Sequence, residues 1–146
     1  MISENFDLTP IVRLTAEIKN TEAAGRIVVN LSEDFEESQQ VQVKDGDELI
    51  SPFLVQFGLS GKGIAPAGID VDNTGHHHLL INQNEINYSM PIPSSDQHLH
   101  FGLGQTETML NLPLGKHKLQ LVLGDKYHIP HNPPLVSEII EITVIE

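Results

Sequence analysis

The sequence contains no cysteine, which excludes disulfides, thiolate metal sites and cysteine nucleophiles. Tryptophan is also absent, and with two tyrosines and five phenylalanines the core must rest on Ile, Leu and Val. Basic residues are scarce: eight Lys and Arg against twenty Asp and Glu give a formal net charge of −12. A surface of that sign repels phosphate backbones and anionic lipid, so neither nucleic acid nor a membrane surface is expected as a partner. It attracts cations instead. No run approaches the roughly eighteen apolar residues of a membrane-spanning helix. Met1-Ile2-Ser3-Glu4-Asn5 lacks the basic and apolar regions of a signal peptide, so the chain reads as soluble with no address for export.

Histidine is what the sequence has, and it is unevenly placed. Residues 1–75 contain none, and all eight fall between His76 and His131. In His98-Leu99-His100-Phe101 an extended backbone points both histidines to one face and Leu99 and Phe101 to the other. Side chains two apart in a strand lie roughly 6.5–7 Å apart, a gap that one metal ion with two bonds of about 2 Å can span. A third ligand must come from elsewhere. His76 and His78 share a face if Gly75-His76-His77-His78-Leu79-Leu80-Ile81 is a strand, and His128 and His131 share a proline-stiffened loop. The candidate metal ligands are therefore His76, His78, His98, His100, His128 and His131, with Glu107 and Asp125 as partners that orient imidazoles. For Asp125 a plain polar residue at a strand end is slightly preferred. Imidazole-only or imidazole-carboxylate sites suit copper, zinc, nickel or ferrous iron, with copper or zinc the leading expectation. His77 shares its phase with Leu79 and Ile81 and is expected to face the core. His117, in phase with Leu119 and Leu121, reads as a packed structural histidine.

The rest of the chain reads as scaffold. Val12, Leu14, Ala16 and Ile18 alternate with polar residues, which predicts a strand over 12–19; a helix opened by Pro10, with Ile11, Leu14 and Ile18 on one face, is the alternative. Strands are also expected over 26–31, 53–57, 76–81, 98–101, 108–112, 117–123 and 136–145. Residues 33–37 are expected to be an acidic loop, and 58–75, 82–97 and 124–134 irregular connections. Short strands with Gly and Pro turns argue for a single all-β domain, an immunoglobulin-like β-sandwich. Residues 40–146 would form its His-rich core and residues 1–39 would add strands to it. Gly102 and Gly104 bend the chain; no Lys-Ser or Lys-Thr follows to make a phosphate loop, and neither Gly-x-Ser-x-Gly nor His-Glu-x-x-His occurs.

From about residue 40 onward the chain resembles an uncharacterised bacterial family known only as a domain of unknown function. The resemblance rests on Gly75-His76-His77-His78-Leu79-Leu80-Ile81, His98-Leu99-His100-Phe101-Gly102, Gly104-Gln105-Thr106-Glu107 and Gly115-Lys116-His117. It continues through Gly124-Asp125 and His128-Ile129-Pro130-His131. It implies a periplasmic or extracellular setting and no particular activity. The residues themselves favour a non-catalytic metal-binding module whose partner is a metal ion. The alternatives are a metal-dependent enzyme with three histidines and an open position acting on a small molecule, and a structural or recognition domain without metal.

Overall fold

Period-two alternation at the start of the chain yields a strand. The computed structural model describes residues 10–18 and 41–146. In it Pro10–Ile18 is strand β1, with Val12, Leu14 and Ala16 buried. The alternative helix does not form, and no helix occurs among the described residues. The strand expected over 26–31 and the acidic loop over 33–37 lie outside them.

Ten further strands follow: β2 (Val41–Gln42), β3 (Glu48–Ile50), β4 (Phe53–Leu59), β5 (Gly63–Ile64), β6 (Thr74–Ile81), β7 (His98–His100), β8 (Glu107–Leu110), β9 (Gly115–Gly124), β10 (Leu135–Val136) and β11 (Ile140–Ile145). β9 is the hub, pairing antiparallel with β6, β10 and β11. β1 joins this group to the rest: its end pairs antiparallel with β10 and its body runs parallel to β4, which carries β8 at its far edge. The pairing is mixed, since β1–β2, β1–β4, β3–β11 and β5–β6 are all parallel. The immunoglobulin-like arrangement expected from the sequence has antiparallel sheets; the all-β class is what the ladders establish. The expected last strand is divided by Ser137, whose Oγ accepts from the Leu121 amide at 2.8 Å and donates to the Glu138 carbonyl at 2.8 Å. The connection over 58–75 contributes β5, a two-residue strand that the glycine spacing had concealed.

β6 positions the histidines. It lies between β7 and β9, and every residue from Gly75 to Ile81 is buried. A strand covered on both faces reads as an unbroken run rather than an alternation. On one face Leu79 and Ile81 join Phe57, Phe101, Leu121 and Leu123 in the main core. On the other, Leu80 packs with Ile92, Val122 and Val136, with Ile86 and Tyr88 of the loop over 82–97 against them. His76 and His78 share this second face with Leu80.

Candidate metal centre

Three elements deliver four imidazoles to one point. β6 supplies His76 and His78. Antiparallel β7 sets His100 directly opposite His78, and His98 opposite Leu80. The loop after β9 supplies His128. There Asp125 Oδ1 accepts from the amides of Tyr127 and Ile129 at 2.8 and 3.0 Å, and the His128 amide donates to the Asp125 carbonyl at 2.8 Å. This tight turn holds His128 at φ 68°, a left-handed conformation uncommon for a residue with a side chain. Its carbonyl is fixed in turn by the Ile92 amide at 2.7 Å.

All six pairings among His76, His78, His100 and His128 are ring contacts, with centroids 4.7–5.8 Å apart. One nitrogen from each lies within 4.8 Å of the others, close enough to hold a metal ion. Two contacts are shorter and share an atom: His76 Nε2 lies 3.0 Å from His128 Nδ1 and 3.2 Å from His100 Nε2. A neutral ring nitrogen carries either one hydrogen or one lone pair, so it cannot serve both contacts in good geometry. Nitrogens bound to one tetrahedral ion at 2.0–2.1 Å lie about 3.3 Å apart, close to both separations.

Burial and mutual repulsion hold three of these rings, His76, His78 and His100, toward the neutral form. Burial, then repulsion from the neighbouring imidazoles His100 and His128, lowers the His76 pKa to about 4. Burial and the charges of His76, His100 and His128 lower His78 to about 3, and His100 is lowered for the same kinds of reason. Neutral imidazole is the form that ligates. His76 Nδ1 and both nitrogens of His78 are buried without a hydrogen-bond partner among the described residues, and burying a polar group unpaired costs about 1–3 kcal/mol.

Glycines make the room. A Cβ on Gly102 would lie 2.3 Å from His100 Cε1 and 2.7 Å from its Nε2. One on Gly124 would lie 2.6 Å from His78 Cε1 and 3.3 Å from the His128 Cα. Sequence reasoning places a bend at Gly102 but misses both contacts: the first depends on how the chain folds back on His100 after β7, the second on the register of β6 against β9. Gly102→Ala pushes aside the exposed His100 ring rather than backbone. It is expected to weaken metal binding about tenfold, the scale of a ligand-orienting defect, while leaving the urea midpoint of the metal-free protein within experimental error.

The other histidines stand elsewhere. His98, expected to share the ion with His100, instead has Nδ1 2.8 Å from Ser95 Oγ. The reason is register: opposite Leu80, it is one step along the sheet from the loop that carries His128. His131 is not in the group either; the Gly124–Pro130 bridge turns the chain, and His131 Nε2 is buried and unpartnered near Gly75. Asp125 shapes the turn, and Glu107, on β8, accepts from Gln56 Nε2 at 3.3 Å. His77 packs its ring 5.2 Å from Phe57 in the main core, where burial lowers its pKa to about 4. His117 accepts from Asn82 Nδ2 at 3.1 Å through Nδ1 and donates through Nε2 to the Pro113 carbonyl at 2.8 Å. His117→Ala removes both hydrogen bonds and should cost about 1–3 kcal/mol by urea melting, with metal stoichiometry unchanged.

Residues 55–145, which include all eight histidines, match the family described as Domain of unknown function (DUF4399). No curated protein and no solved structure matches the chain.

Proposed function

The chain belongs to the DUF4399 family, and as the function of this member we propose the binding of one transition-metal ion, copper or zinc, by His76, His78, His100 and His128. The observation that carries the reading is His76 Nε2 placed at ligand spacing from two other imidazole nitrogens at once. Shared protons do not account for that convergence; a cation at its centre does. Four imidazoles saturate a tetrahedral ion, and saturation favours holding the metal over activating a substrate on it. The all-nitrogen set binds copper(II) more tightly than zinc, following the general order of divalent affinities.

The test is elemental analysis of protein purified without an affinity column, followed by copper and zinc titration of chelator-treated protein. One ion per chain is expected. At a hundredfold excess over its dissociation constant the ion stabilises the fold by about 2.7 kcal/mol, visible as a raised melting temperature near pH 7.5. Equal melting temperatures with and without either metal would rule out the reading.

A further inference from the structure

On the same face of β6 and β7, one step along from the histidine cluster, the surface opens into a cleft of about 340 Å³. Buried Leu80 and Ile92 form its base, Ile86 and Met90 line its walls, and Glu85 and His98 add polar groups. The walls come from one loop, which is built rather than loose. Pro91 and Pro93 restrict its backbone. The Ser89 and Met90 amides donate to Asn87 at 3.0 and 3.3 Å, and the Ile92 amide ties the loop to the His128 carbonyl at 2.7 Å. Preformed apolar clefts with a few polar groups, in this range of volume, are the usual form of small-molecule sites.

Size and charge narrow the ligand. An apolar cavity of about 150 Å³ holds benzene, so a cleft roughly twice as large takes a bicyclic ring system. Among the described residues Glu85 is the one carboxylate lining it, and no lysine or arginine does. The chain's net charge of −12 adds to the preference for a cation. We propose that this cleft binds a small aromatic amine, its rings against Leu80, Ile86 and Met90 and its ammonium beside Glu85. None of the four clustered histidines lines the cleft, so the site stands independently of the metal reading.

Tryptamine is the probe. The chain has no tryptophan, so indole emission reports the probe alone, and its anisotropy should rise saturably as the full-length protein is added. A dissociation constant below about 1 mM is expected. Indole-3-propionate, with a carboxylate in place of the ammonium, should bind about tenfold more weakly, and Glu85→Lys should weaken tryptamine by a similar factor. Glu85 is exposed, so that variant folds, and its metal uptake should equal that of the wild type. With ¹³C-methyl methionine, tryptamine should shift the Met90 resonance and leave Met109, on β8, in place. Unsaturable anisotropy, equal affinity for the two probes, an unchanged constant in Glu85→Lys, or a stationary Met90 signal would each overturn the proposal.

Discussion

His76→Gln should lose metal uptake almost entirely, with affinity falling by more than about 100-fold, whereas His98→Gln should bind like the wild type. Removing groups that merely orient a ligand already costs about 10–100-fold, and His76 is the ligand whose Nε2 meets both His100 and His128. Its loss leaves His100 and His128, on separate elements, without the atom that draws them together. Glutamine roughly keeps the volume and retains polar atoms, so the buried site is not emptied. His100→Gln provides the same test at an exposed position, where folding is not at risk, and should also lose most of the affinity. His98 bonds to Ser95 and faces the neighbouring cleft. Competition against a chelator of known affinity measures all three variants. Wild-type uptake by both His76→Gln and His100→Gln would remove the four-histidine centre.

Why the sequence distinguished some of these histidines and not others follows from the range of the interactions. Phase along a strand is local: His77 falls in step with Leu79 and Ile81, and its core-facing position follows from alternation alone. The same argument puts His76 and His78 on one face and identifies Val12, Leu14 and Ala16 as a buried row. His98 and His100 have the same phase, so alternation cannot separate them. What separates them is the pairing of β7 with β6, which sets His100 against His78 and His98 against Leu80. His128 and His131 sit on one loop, and the choice between them depends on the turn closed by Asp125 and on the Ile92 amide, contributed by a distant segment. The parallel pairing of β1 with β4 is equally non-local. The sequence pattern thus narrows the candidates to pairs, and tertiary structure decides which member of the pairs at 98/100 and 128/131 joins the cluster.

Acid should unfold the metal-free protein steeply between about pH 6.5 and pH 4. His76 and His77 have pKa values lowered to about 4 and His78 to about 3, in each case chiefly by burial. In the unfolded chain a histidine titrates near 6.5. Between those values the unfolded state binds more protons than the folded one, so stability rises with pH across the window and is lost as pH falls through it. Each such group contributes about 1.4 kcal/mol per pH unit, and three acting together give a slope of about 4 kcal/mol per unit near pH 5. Below the lowered values both states are protonated and these groups add nothing more. His77 separates this effect from metal binding, because its ring faces Phe57 rather than the cluster, and neither nitrogen has a hydrogen-bond partner among the described residues. His77→Phe should therefore reduce the slope by about one third and leave metal uptake unchanged. At pH 7 the gain from removing an unpaired polar ring is offset by the cost of fitting the larger phenyl ring into a filled core, each about 1–3 kcal/mol, so the slope rather than the stability at pH 7 is the readout. Urea melts at half-unit pH intervals on both proteins measure the slopes. A stability that does not change from pH 7 to pH 5 would mean that these rings are not held neutral in the fold.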